Sequence, residues 1–364
     1  MDSPDDAPSA RRATIGDVAR AAGVAISTAS VVFSGKARVA DATRERVLAA
    51  AASLGYTGPD PRATSLRRGR SGIVAVVLEG SLRAAFLDPV TTATMDGLAD
   101  GLADLSAGIL LMRDEPGEDG ASALTTAPVD AVVLIGCSGR ALASLEIVRG
   151  RGLPVVVIEG DAGEGIPQVR LDNREASADL AHHIRSLGHR EVALVTLPLD
   201  SARVRGPVDD ARIAAATVAV TLDRLAGVRE VYPDAPAISA AGSLIDEGVI
   251  AGRMLLANRD ARPTAVIAQS DLLAAGVIRA AEELGLAVPD DLSVVGFDGI
   301  RVDGLRPHAL TTSVQPAVDK GRAAGEQVAR MLRGEPGETQ YLTCRLRVGT
   351  TTAAPGKLSE HPPA

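Results

Sequence analysis

The chain has 364 residues, 46% hydrophobic and 23% charged, with only two cysteines; that is room for a small domain plus a larger two-lobed one, and it excludes a disulfide framework. No apolar run approaches the ~18 residues that a helical membrane span needs, so no membrane association is expected. The net charge of −8 argues against a nucleic-acid binder until it is divided: residues 9–72 hold eleven Lys/Arg against four Asp/Glu, a basic head of +7, and the rest of the chain carries −15.

Residues 1–12, MDSPDDAPSARR, are polar and acidic where a secretory signal would be basic and then apolar. They predict a disordered tail on a cytoplasmic protein. From 13 to 58 the pattern predicts three short helices. Thr14 followed three residues later by Asp17 marks the first start, with Ile15, Val18, Ala19 and Ala22 at helical spacing and Gly23 as the stop. A second helix over about Ser27–Phe33 turns Ala29, Val32 and Phe33 inward before Ser34-Gly35 breaks it. A third, about Asp41–Leu54, has Val47, Leu48, Ala51 and Leu54 as its stripe, and Gly55 ends it. Two short helices joined by a tight glycine turn and braced by a third describe a helix-turn-helix, whose second helix can enter the DNA major groove. A three-helix scaffold with no nucleic-acid role has the same pattern. Residues 59–71 read as a basic linker, with Pro59 and Pro61, a single helical turn over Arg62–Leu66, and then Arg67, Arg68 and Arg70.

From residue 72 to 353 apolar runs alternate with amphipathic stretches. Strands are predicted at 73–78, 108–112, 131–135, 154–158, 192–196, 264–268 and 293–297. Helices are predicted at 90–104, 174–187, 211–226, 244–257, 272–284 and 316–332. Continuous apolar strands separated by helices imply an α/β fold of doubly wound parallel sheets, which bind ligands at the carboxyl ends of the strands. Cys137 and Cys344 sit in or beside apolar runs and read as small buried hydrophobes. His182, His183 and His189 lack a further nearby ligand and make an unconvincing metal site. No Walker loop, HExxH or GxSxG occurs, and the glycines of GDAGEG (160–165) lack dinucleotide-binding spacing, so neither an enzyme nor a cofactor is expected. The final stretch, 354–364, has no heptad pattern and reads as a disordered tail.

Thr14–Tyr56 resembles the DNA-binding head of the lactose-repressor (LacI/GalR) family. The matching pieces are TIxDVA at 14–19, AGV at 22–24, the hydroxyl residues of 27–30, TRERVL at 43–48 and LGY at 54–56. The likeness continues in VRLDNREASADLAHHIRSLGHREVALV, in PTAVIAQSDLLAAGVIRAAEELGLAVPDDLSVVGFDGI and in LTTSVQP. It implies an all-α helix-turn-helix head, a hinge helix with Leu66 wedged into the minor groove, and an effector domain resembling periplasmic sugar-binding proteins. One lobe would cover about 72–169 and 315–341, the other about 170–314 and 342–353.

The resemblance assigns DNA contact to Thr14, Arg20, Ala25, Ile26, Ser27, Thr28, Ser30, Val31, Lys36, Arg38, Leu66, Arg67 and Arg68. Two of these depart from the family: Ala25 stands where a serine supports the helix start, and Val31 where an arginine reaches a base edge. Valine cannot donate a hydrogen bond, but it can pack on a thymine methyl. For the effector the resemblance implies Phe86, Glu159, Arg203, Arg212, Ser270, Asp271 and Asp298. Arg212 takes the family's cleft arginine, although Ile213-Ala214-Ala215-Ala216 replace the apolar residue and Gly-aromatic pair that usually follow. Absence of tryptophan excludes a pocket built on a stacked indole.

The expected protein is therefore a DNA-binding regulator, a repressor by resemblance. It acts as a homodimer on palindromic double-stranded operator DNA under control of a small effector, a sugar or related metabolite. A solute-binding protein would need a signal peptide and no basic head. An enzyme with a DNA-binding appendage would need a nucleophile or cofactor motif in its cleft.

Overall fold

The computed structural model describes residues 13–35, 37–59, 65, 69–78, 81–113, 122–136 and 139–356. The chain divides into two compact units, 1–71 and 72–364.

In the first unit α1 (Ile15–Ala21), α2 (Ile26–Ser34) and α3 (Asp41–Ser53) pack around Val18, Ala19, Ala29, Val32, Val47 and Ala51. Thr14 opens α1 with a reciprocal capping box: the Asp17 amide donates to Thr14 Oγ1 at 3.3 Å, and the Thr14 amide to Asp17 Oδ2 at 3.0 Å. Gly23, at φ 64°, turns the chain from α1 into α2, and Phe33 meets Tyr56 edge-on at 5.2 Å. The stripe on α3 is narrower than the sequence suggests. Val47 and Ala51 are buried, but Leu48 and Leu54 are exposed. Only one side of α3 meets α1 and α2, so an i, i+4 pair reaches the core and residues turned away from it do not.

The second unit begins with β1 (Ile73–Leu78), α4 (Leu82–Leu87), α5 (Pro89–Leu102), β2 (Gly108–Arg113), β3 (Ala131–Ile135), α6 (Gly139–Gly150), β4 (Val155–Ile158) and β5 (Gln168–Leu171). It continues with α7 (Asn173–Ser186), β6 (Val192–Thr196), β7 (Gly206–Pro207), α8 (Asp210–Ala214), α9 (Ala219–Val231), β8 (Ala237–Ser239) and α10 (Ile245–Leu256). β9 (Ala265–Ala268), α11 (Asp271–Glu283), β10 (Ser293–Asp298), β11 (Thr311–Val314), α12 (Ala317–Leu332), β12 (Gln340–Leu342) and β13 (Arg345–Arg347) complete it.

These strands form two sheets, in the orders β12-β5-β4-β3-β1-β2 and β13-β11-β10-β9-β6-β8-β7. Every pairing is parallel except β11 with β13 and β7 with β8. The apolar runs are continuous because both faces are covered. Val74 and Val76 enter one core with Leu98 and Val328, while Ala75 and Val77 enter another with Leu145 and Val148. The chain crosses between sheets after β5, β11 and β12, and α12 returns to pack on α5 of the first lobe.

The helix predicted over 211–226 is two helices, α8 and α9. The amides of Thr217 and Val218 donate to the Leu199 carbonyl at 2.9 and 3.1 Å, which pins the chain out of helix between them. The short strands β7, β8 and β11 to β13, of two to four residues each, carry no readable period and take their form from pairing. Among the described residues no single helix is long and apolar enough to cross a membrane.

Candidate functional site

In the first unit the predicted DNA contacts divide by what holds them. Thr14 caps α1, and Arg20 pairs with Asp17 at 3.1 Å on the surface. Ala25 opens α2 without a side-chain cap, Ile26 and Ser27 are exposed, and Thr28, Ser30 and Val31 are half-buried. Arg38 is exposed beyond α2. Lys36, Leu66, Arg67 and Arg68, and with them the predicted hinge turn, lie outside the described residues.

In the second unit the carboxyl ends of strands from both sheets face a cleft of about 370 Å³. Leu78, Ile135 and Glu159 line it from the ends of β1, β3 and β4; Leu197, Ser270 and Asp298 line it from the ends of β6, β9 and β10. Among the described residues its lining has no aromatic ring.

A chain of polar contacts crosses the floor. Glu159 accepts from the Leu171 amide at 2.7 Å and from Asn173 Nδ2 at 2.8 Å. Asn173 Oδ1 accepts from Arg224 Nε at 2.8 Å. Arg224 also donates to the Gln269 carbonyl at 2.6 Å, lies 3.6 Å from Asp298 and stacks over Phe297 at 3.5 Å. Asp298 accepts from Gln315 Nε2 at 2.7 Å, and Gln315 Oε1 accepts from Lys320 Nζ at 2.6 Å. The path starts on β4, runs through the second lobe and returns to the first on α12.

Charge in this floor is finely set. Burial, reinforced by the Asp88 carboxylate, pushes Asp298 up to about 6 although Arg224, Gln315 and Lys320 oppose the shift. Burial holds the Lys320 ammonium below its ordinary range. Glu159 and Asp298 have φ of 56° and 121°, where only glycine is at ease. Two strained acids on facing walls are what a binding site looks like when the surrounding structure over-determines it.

The structure brings Glu159, Arg203, Ser270 and Asp298 to the cleft and sends Phe86, Arg212 and Asp271 elsewhere. Ser270 caps α11 through the Leu273 amide and accepts from Ser243 at 2.9 Å. Its neighbour Asp271 points the other way, fully buried. It accepts from Thr312 Oγ1 at 2.6 Å and the Ile300 amide at 2.8 Å, so it braces the loop after β10. Arg212 donates to the carbonyls of Val204, Gly206 and Pro207, stitching its own loop. Phe86 is 61% exposed on α4; Ala85 and Asp88 face the cleft instead.

Sequence reasoning passed over Arg224. The signal was present: Leu225-Ala226-Gly227-Val228 follow it, an apolar residue and then a glycine three positions on. A Cβ on Gly227 would stand 2.0 Å from the Arg174 carbonyl, so this glycine lets α9 lie against α7 and aims Arg224 inward. Lys320 and Gln315 carried no such signal.

His189 bonds Thr264, Ser293 and the Ala353 carbonyl, and His183 bonds Thr352 at 3.1 Å. Both tie α7 and its following turn to the C-terminal segment. Among the described residues no three His, Cys, Asp or Glu side chains converge to hold a metal. Cys344 is buried as expected of a small hydrophobe; Cys137 lies outside the described residues.

Comparison with known proteins agrees with this fold. Residues 14–58 match the model of bacterial regulatory proteins of the lacI family, and 181–352 that of the periplasmic binding protein-like domain. The chain is 33% identical over 356 residues to the HTH-type transcriptional regulator Rv3575c of Mycobacterium tuberculosis, covering 95% of this chain and 98% of that one. A LacI-family regulator from Corynebacterium glutamicum has a similar crystal structure, with TM-score 0.69 and 27% identity over 93% of this chain and 98% of that one. The regulator CelR in complex with cellobiose is similar at TM-score 0.63 and 25% identity, over 93% and 100% of the two chains.

Proposed function

The chain belongs to the lacI family of bacterial regulatory proteins and is a DNA-binding transcriptional regulator, and from that premise we propose that a small polyhydroxylated molecule in the cleft controls its operator affinity. The observation that carries this reading is the polar chain from Glu159 through Arg224 and Asp298 to Lys320, which leaves one lobe and returns to it. A ligand bonded to that chain stabilises one lobe arrangement over another, and only this differential affinity can reach the DNA.

The walls suit a neutral polyol better than an anion. Asp88, Glu159 and Asp298 balance Arg203, Arg224 and Lys320 in number, and aliphatic Leu78, Ile135, Leu197 and Leu244 surround them. Sugar hydroxyls can donate to the carboxylates and accept from the cations. Cellobiose, the ligand of the CelR complex, is of this chemical kind. The operator is a palindrome read by a homodimer, because two half-sites bound together gain from effective concentration. Light scattering at micromolar concentration is expected to give twice the chain mass, and a monomer there overturns the dimer.

The effector reading is tested by thermal shift and calorimetric titration of the full chain with monosaccharides, disaccharides and cyclic polyols. Hydroxyl donors need Asp298 as a carboxylate. Its pKa of about 6 therefore predicts affinity that is level above pH 7 and falls as pH drops through 6. Asp298→Asn is expected to bind at least tenfold more weakly, with a flatter profile. Affinity that rises in acid, or an unchanged profile in Asp298→Asn, overturns this placement of the ligand.

A further inference from the structure

α2 is the helix that a helix-turn-helix lays against base edges. Its sequence, ISTASVVFS, has no charged side chain and no carboxamide. Guanine is read in the major groove by a forked arginine or a lysine, adenine by asparagine or glutamine, and cytosine by a carboxylate. None of these stands on α2. What it carries is methyl groups and hydroxyls.

The methyl groups are placed to be used. Ile26, in the first turn, is 59% exposed and takes no part in the core of Val18, Ala29, Val32 and Val47. Val31 is half-buried one turn beyond exposed Ser27, so the two share a face. Arg20, the nearest cation on α1, is held by Asp17. A β-branched residue left in water on so small a unit gains burial only against a partner, and the net charge of +7 over residues 9–72 makes DNA that partner. Thymine alone presents a methyl group in the major groove.

We propose that Ile26 and Val31 read thymine methyl groups, so that each operator half-site carries an A·T pair at the two steps these side chains meet. Serine and threonine hydroxyls on the same helix add bonds that any base can accept or donate. This rests on the reading of α2 as the groove helix of a sequence-specific regulator. It goes beyond that reading by naming the chemistry of the bases.

The test uses the full chain and needs no effector. Binding sites are first selected from random duplexes, and each thymine of the selected half-site is then replaced by deoxyuridine, which lacks only the methyl group. Loss of about fourfold in affinity is expected at each of the two steps, the worth of one buried methyl. Ile26→Ala should erase the loss at one step. Val31→Arg should move selection at the other towards guanine. Selection of a defined site whose deoxyuridine forms bind as well as the parent overturns the proposal while leaving the regulator reading intact. Enrichment of no sequence at all overturns both.

Discussion

Arg224→Ala is expected to abolish the effector response and to lower the melting temperature of the body by on the order of 10 °C. The guanidinium is 4% exposed and is the middle of the cleft floor: it touches Asn173, the Gln269 carbonyl, Phe297 and Asp298 together. Removing it leaves the Asp298 carboxylate buried beside Asp88 without its cation, and breaking a buried pair in this way costs about 3–5 kcal/mol. Asp298 should answer by holding its proton to higher pH, since the largest of the attractions that restrain its rise is gone. Differential scanning calorimetry measures the stability and effector titration the response. Arg224→Lys separates the roles: it keeps a charge near Asp298 but cannot fork between Asn173 and Gln269. A melting temperature within two degrees of wild type in Arg224→Ala, on the order of what surface changes give, would sink this account.

Gly97→Ala is expected to destabilise the body by about 3 kcal/mol, against the direction that helix propensity alone predicts. Gly97 lies inside α5, where alanine would ordinarily be better by about 1 kcal/mol. A Cβ there, however, would stand 1.8 Å from the Val318 carbonyl. Gly321 on α12 is as confined, its Cβ position 1.9 Å from the Thr94 carbonyl, and Gly101 and Gly325 extend the seam. The two helices touch backbone to backbone. Any side chain must push α12 off α5, and Lys320 moves with it, so the polar chain under the cleft should loosen in the same variant. Urea unfolding gives the sign. Stabilisation, or a loss below 1 kcal/mol, would mean that the seam yields more easily than its geometry implies.

The three helices of the first unit were legible because their determinants are local. Thr14 and Asp17 are three residues apart and cap each other; Gly23 turns the chain within one peptide unit. The long central strands were legible too, since continuous valine and isoleucine runs are buried on both faces wherever they pair. Asp298 was assigned to the cleft by the resemblance, and it lines the cleft because it ends β10, where strand ends of the sheet open onto it.

Other features were settled only when distant parts met. Ser270 and Asp271 are neighbours, yet the start of α11 aims one into the cleft and the other into the core, towards Thr312 and Ile300. Arg212 and Arg224 are two arginines twelve residues apart. Which one entered the cleft depended on Leu199 pinning Thr217 and Val218, and on the three carbonyls that the intervening loop turns towards Arg212. Lys320 reached the site because glycines on two helices far apart in the chain allow α12 to lie flat on α5. By itself the sequence determined the helices of the head, the longer strands and the family, because caps, turns and apolar runs act over a few residues. The tertiary structure decided which charged side chains share the cleft, because a side chain's partners depend on packing between segments that no local pattern encodes.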